Sequence, residues 1–163
     1  MVKGLVIRRL NPKSEKDLKG AANVISQSYN ISSLKEGLLA VNCETQRKGF
    51  IYIIAEKDGK IAGLTTWRMH GLPKHELAEL DRIVVLDEYR RQGIGTKLFN
   101  ALVKDVKKSF KKHGKKLRKL FLLSHEDNED AHIMYRKLGL VAETILRDHY
   151  YKNRPETVFS KFF

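Results

Sequence analysis

Leu77-Ala78-Glu79-Leu80-Asp81-Arg82-Ile83-Val84-Val85-Leu86, continued by Asp87-Glu88-Tyr89 and then by Arg90-Arg91-Gln92-Gly93-Ile94-Gly95-Thr96-Lys97-Leu98, reads as strand, turn and helix. The strand half ends in an apolar, β-branched run, which suits a strand buried on both faces. The helix half starts at the glycines and carries Leu98, Phe99, Leu102, Val103 and Val106 as a stripe at helical spacing. Glycine has no Cβ, so such a turn lets backbone approach a ligand closely. It also aims free N–H groups and the positive end of the helix dipole at one point, a geometry that suits a phosphate or pyrophosphate.

Two phosphate-binding patterns are excluded by spacing. A P-loop needs Gly-Lys-Ser/Thr at the helix start, and here the order is Gly95-Thr96-Lys97. A dinucleotide fingerprint needs a third glycine beyond Gly93 and Gly95.

Upstream, Leu5 to Leu10 reads as a first strand, broken by Asn11-Pro12. Ser14 caps a helix with Asp17 in the place of the usual Glu; the helix buries Leu18, Ala21, Ala22 and Ile25 and ends near Tyr29. A second helix starts at Ser32 or Ser33 and carries Leu34, Leu38 and Leu39. Phe50–Glu56 and Lys60–Trp67 form a hairpin about Asp58-Gly59. Downstream lies a basic run, Lys107 to Lys119, whose plain reading is the wet face of a helix and its exit loop. Leu120–Leu123 is a short strand; Asp130–Leu138 is a helix closed by Gly139; Leu140–Leu146 and Thr157–Phe163 are the last two strands. The expected class is an α/β mixture around a mixed, mostly antiparallel central sheet flanked by helices, in the order β-α-α-β-β-β-α-β-α-β-β, as a single domain over residues 1–163.

A second motif lies in the later helix. Asn128, Ala131, His132 and Tyr135 fall at i, i+3, i+4 and i+7 and share one face. The stretch Asn128 to Leu140 resembles the signature Asn-x-x-Ala-x-x-Phe-Tyr-x-x-x-Gly-Phe of the GNAT superfamily of N-acetyltransferases, with Met134 and Leu140 replacing the two Phe. Arg90-Arg91-Gln92-Gly93-Ile94-Gly95 resembles that superfamily's Arg/Gln-x-x-Gly-x-Gly/Ala signature.

The resemblance implies the GNAT fold and direct acetyl transfer from acetyl-CoA to a primary amine in a ternary complex, with CoA as product. It implies that Arg90, Arg91, Gln92, Gly93, Ile94, Gly95 and Thr96 hold the pyrophosphate and that Ile83, Val84 and Val85 lie along the cofactor. A backbone N–H near Val85 polarises the carbonyl, Asn128 contacts the pantetheine arm, and the Tyr135 hydroxyl is general acid for the leaving thiolate. The first two helices form one wall of the substrate groove. Glu79, which shares a strand face with Asp81, Ile83 and Val85, is the expected base, with Asp81 as alternative; pairing with Arg82 or a lysine is the other reading of either. His125 and Glu126 can hold a relay water, or be a solvated loop. Cys43 is read as a buried or incidental thiol.

For the acceptor, Arg147-Asp148-His149-Tyr150-Tyr151-Lys152 resembles the Tyr-Tyr element of the RimI-like and San-like N-terminal acetyltransferases. Tyr150 and Tyr151 are thus expected to hold a peptide backbone after the sixth strand. Leu123 stands where San-like enzymes carry a histidine. A peptide N-terminus leads as acceptor because an α-amino group titrates near pH 8 and a lysine near 10.4; a small amine such as a polyamine is the alternative.

Composition bounds the rest. With 163 residues, 42% of them hydrophobic, the chain can build a core, and no apolar run approaches a membrane span. The N-terminus does not read as a signal peptide, and one cysteine allows no internal disulfide and no cysteine-rich metal site, so the expectation is a cytoplasmic protein without a metal. The net charge of +13 favours an anionic partner, which leaves a ribosome or another acidic surface open and makes a non-catalytic RNA-binding module the competing class. Against that class, the aromatics are not interleaved with the basic run as a stacking platform requires.

Overall fold

The computed structural model describes residues 4–28 and 30–163. In chain order the elements are β1 (Leu5–Arg9), α1 (Glu15–Ile25), α2 (Leu34–Thr45), β2 (Phe50–Lys57), β3 (Lys60–Met69), β4 (Leu77–Val85), α3 (Ile94–Lys111), β5 (Lys119–His125), α4 (Glu129–Lys137), β6 (Val141–Tyr151) and β7 (Arg154–Phe162). The expected order of strands and helices holds. The strands form a seven-stranded sheet in the order β1-β2-β3-β4-β5-β7-β6. β4 and β5 pair in parallel, whereas β1–β2, β2–β3, β5–β7 and β6–β7 pair antiparallel. The crossover from β4 through α3 makes the parallel pair possible. Contacts divide the chain into two compact units, Met1–Arg68 with Arg82–Val106, and Met69–Asp81 with Lys107–Phe163.

In the first unit, Ala21, Ala22, Val24 and Ile25 of α1 and Val41 of α2 pack with Phe50, Tyr52, Ile54, Ile61 and Leu64 of the β2–β3 hairpin. Asp58 and Gly59 both take positive φ, 50° and 79°, as the expected two-residue turn requires. Ser14 caps α1 by accepting from the Asp17 N–H. Asp17 does not return the favour to Ser14. Its carboxylate is held by the Arg8 guanidinium at 2.6 and 2.9 Å, which keeps it well below the usual carboxylate range. Two sequence expectations change here. Leu34 and Leu39 are exposed, at 51% and 65%, because α2 buries Gly37 and Val41 instead. Cys43 is exposed and not buried. α1 ends at Ile25, and the expectation placed on Tyr29 lies outside the described residues.

In the second unit, Leu120 and Leu122 of β5, Tyr135 of α4, Leu140 and Phe159 of β7 are buried. The Tyr135 and His132 rings pack on Phe159 with centroids 5.5 and 4.7 Å apart. β6 is longer than its sequence suggests. It runs through Tyr151, with a register shift between Leu146 and Tyr151 and Asp148 at φ 50°. Tyr150 and Tyr151 therefore lie inside β6 and not after it.

Candidate functional site

The turn that decided the fold is built in the first unit. β3 approaches the end of β4 closely: a Cβ on Gly63 would stand 2.8 Å from the Val84 carbonyl oxygen and 3.2 Å from Val85 Cα, so only glycine fits there. Ile83, Val84 and Val85 are half-buried, not fully buried as the apolar run suggested. A 3-10 turn at Asp87–Tyr89 then carries the chain to Arg90. The Arg90 guanidinium is turned back, donating to the Val85 carbonyl at 3.2 Å and pairing with Asp87 at 2.9 Å. Gln92 is pinned by Lys57 Nζ at 2.7 Å. Arg91 and Gly93 take φ of 60° and 72° and are exposed.

At Gly93 a Cβ would meet nothing within 4 Å, so the protein's own packing does not require glycine. The left-handed φ requires it, and the open space in front of it is room for a ligand. Lys97 N–H to Gly93 C=O, at 3.1 Å, is the first bond of α3, and Ile94 is buried at 1% exposure as the anchor of the helix head. The N–H groups of that first turn have no intrahelical acceptor and point out along the positive end of the dipole. Open backbone, left-handed turns and exposed arginine fit an anionic phosphate group.

The second unit holds the remaining expected residues. The β4–β5 ladder pairs Leu77↔Lys119, Ala78↔Leu120 and Glu79↔Phe121, only three steps. Glu79 is 5% exposed, and its carboxylate faces His70 Nδ1 at 3.3 Å. The His70 side chain is 53% exposed, and its ring meets Phe121 edge-on at 5.2 Å. Sequence reading missed His70. The tight return of Gly71 to Glu76, closed by His70 N–H to Leu77 C=O at 2.9 Å, is the signal that brings it back beside β4.

Arg82 has a long-range partner that its neighbours on the strand did not suggest. It lies in the first unit and grips Glu44 of α2 at 2.9 and 3.2 Å, with the Tyr52 hydroxyl donating to the same carboxylate. Asn128 stands at the head of α4, exposed, with its side chain not capping the helix. Tyr135 lies on the buried face, at 7% exposure. His125 is not a solvated loop residue: it ends β5 at 1% exposure, 3.4 Å from Glu156 of β7, which is equally buried. Glu126 is exposed. The Tyr151 ring lies 5.9 Å from that of His125, and the Tyr150 ring meets that of His149 edge-on at 4.7 Å. Both tyrosines are exposed, at 57% for Tyr150 and 45% for Tyr151.

Comparison with known proteins gives these arrangements a context. An N-alpha-acetyltransferase of Sulfurisphaera tokodaii is 31% identical over 108 residues, covering 61% of each chain. The chain spans about 61% of the length of the curated relatives it matches. The ribosomal-protein-S18-alanine N-acetyltransferase of Escherichia coli superposes with a TM-score of 0.73 at 21% identity, covering 96% of this chain and 92% of that one. An aminoglycoside 6'-N-acetyltransferase complexed with coenzyme A superposes at 0.79 with 16% identity and 96% coverage of both chains. The sequence model of the acetyltransferase (GNAT) family matches residues 21–140, a span that takes in the open turn at Gly93 and all of α4. On that match, the chain belongs to the acetyltransferase (GNAT) family.

Proposed function

We propose that this protein moves an acetyl group from acetyl-CoA to a primary amine, with the α-amino group of a peptide as acceptor. The observation that carries the reading is the turn from Arg90 to Thr96, where left-handed Arg91 and Gly93 leave open space before the head of α3. Arg91 to Thr96 would hold the pyrophosphate, Asn128 the pantetheine arm, and the backbone of Ile83 to Val85 the acyl end. Acetyl-CoA brings a thioester, whose acyl carbon is the electrophile. The backbone N–H near Val85 polarises its carbonyl. Tyr135 supplies the proton that the leaving sulfur needs. The carboxylate of Glu79, tied to His70, supports removal of the amine proton.

The acceptor reading is supported by the relative named as an N-alpha-acetyltransferase and by the exposed tyrosine pair on β6. The phenol hydroxyls can donate to and accept from a peptide backbone without reading its side chains. A cytoplasmic protein working on protein N-termini fits the single cysteine, and no described helix is long and apolar enough to cross a membrane. The surplus of lysine and arginine suits a ribosome or other acidic partner that presents such N-termini.

A panel of short peptides, polyamines and aminoglycosides, compared by kcat/KM, tests the acceptor. Peptides should lead, and Tyr150→Phe and Tyr151→Phe should each raise their KM several-fold, about the loss of one hydrogen bond, without changing acetyl-CoA affinity. A polyamine that beats every peptide by about tenfold would instead make Glu76, Glu79 and Asp81 a cation site.

A further inference from the structure

The geometry points to His70 as the group that takes the proton from the attacking amine, with Glu79 as its positioning residue. The inference rests on the acetyl-transfer reading and assigns its proton path. Glu79 is buried at 5% exposure, so water reaches its carboxylate poorly, whereas the His70 side chain beside it is 53% exposed. A carboxylate only accepts hydrogen bonds, so the 3.3 Å contact from Glu79 Oε2 to His70 Nδ1 places the ring hydrogen on Nδ1. In the neutral ring that leaves Nε2 as a base. Phe121 packs edge-on against the ring and the 70–77 backbone bond fixes its root, so the imidazole is held from two sides.

The substrate ammonium gives its proton to Nε2, directly or through one water, and the amine keeps the electron pair. The imidazolium so formed is stabilised by the Glu79 carboxylate. The amine nitrogen then bonds to the acyl carbon, the carbon–sulfur bond breaks with its electron pair going to sulfur, Tyr135 protonates that sulfur, and the second proton lost by the nitrogen passes through water to restore the Tyr135 hydroxyl. The imidazolium returns its proton to solvent. The charged and titratable groups on the elements packed around the ring are Glu79 and Asp81 on β4, Lys119 and His125 on β5, Lys74, His75 and Glu76 in the return, and Arg118, which donates to the His75 carbonyl at 3.1 Å. Lys119 is engaged by Glu143, and His75 Nδ1 accepts the Leu72 N–H at 3.0 Å, so Glu79 is the partner set directly on the ring.

The test is steady-state kinetics with a peptide acceptor from pH 6 to 10, on wild type, His70→Gln, Glu79→Gln and the double variant. His70→Gln should lower kcat/KM about 10²-fold at pH 7, and the gap should close toward pH 10 as the amine loses its own proton. The double variant should fall no further than His70→Gln alone, because the two act as one unit. Glu79→Gln should show the same pH-dependent loss as His70→Gln, large at pH 7 and closing toward pH 10, a profile that a merely structural contact would not produce. Acetyl-CoA affinity, measured by calorimetry, should stay at the wild-type value in each variant; His70→Asn repeats the test if His70→Gln does not fold. An active wild type with His70→Gln within about twofold of it at every pH, or a Glu79→Gln loss that His70→Gln does not share, overturns the proton path and leaves acetyl transfer standing. A wild type inactive on every amine overturns both.

Discussion

Two His–Glu pairs sit in the same unit at nearly the same separation, His70–Glu79 at 3.3 Å and His125–Glu156 at 3.4 Å. Their surroundings differ. His70 keeps 53% of its side chain in solvent, and both partners of the second pair keep 1%. Burial disfavours charge, so His125 is pushed below the ordinary histidine value and Glu156 above the ordinary carboxylate value. Glu156 Oε2 has no hydrogen-bond partner among the described residues. The second pair is thus pressed toward two neutral groups that hold β5 and β7 together, while the first can exchange a proton with water. Distance alone does not tell a proton carrier from a packing contact; exposure does.

The largest expected effect comes from removing the ligand while both pairs stay intact. Gly93→Val puts a Cβ into the open space at the head of α3 and strains a φ of 72°. Acetyl-CoA affinity by calorimetry should fall by about 10²-fold or more, roughly 3 kcal/mol. Wild-type affinity in the variant would remove this turn from the site.

Next comes Tyr135→Phe, which takes away the proton donor and leaves both pairs intact. The expected outcome is a kcat lower by about 10²-fold, acetyl-CoA affinity nearly unchanged, and an acidic limb of the pH profile in the wild-type position. A shifted acidic limb would mean that Tyr135 and the His70–Glu79 pair act on one proton.

The smallest effect is on stability. A carboxyl that holds its proton more tightly folded than unfolded favours the fold most below the ordinary carboxylate value, about 4.3, and less as pH rises from there through its folded value. His125 runs the other way, and its cost appears as pH falls below about 6.5. Glu156→Gln should therefore be the more stable protein at pH 8, by about 1 kcal/mol or 2–4 °C in Tm, with the advantage shrinking toward pH 5. Its kcat profile should keep the wild-type shape. A Glu156→Gln variant with altered pH dependence of kcat would make the buried pair part of the chemistry.

What the sequence revealed and what it hid divide along the same physical line. The turn at Arg90 to Gly95 and the helix at Asn128 to Gly139 were legible because each is local: spacing puts the residues on one face, and the glycines take the positive φ that their places demand, 72° at Gly93 and 82° at Gly139. The succession of strands and helices along the chain followed from alternating elements and a clear Asp58-Gly59 hairpin, whereas the order of the strands in the sheet did not. Hidden were features made by return of the chain. His70 matters only because the 71–76 turn lays it against β4. His125 looked like a loop residue until β5 was seen to extend to it and β7 to cover it. Arg82 found Glu44, 38 residues away. Leu34 and Leu39 share a helix with buried residues yet stay in solvent, and nothing in their spacing marked that.

β6 lies at the margin of the sheet, and every residue from Val141 to Tyr151 except Leu146 is exposed, Val141 and Ile145 among them. Its outer row of amide and carbonyl groups is a template on which another extended chain could polymerise. Arg147 and Asp148 lie along that margin, and the left-handed backbone of Asp148 breaks the ladder beyond Leu146. Charge and kink together leave too short a straight run for fibrous association, so the same irregularity that presents Tyr150 and Tyr151 also guards the molecule against its own copies at high concentration.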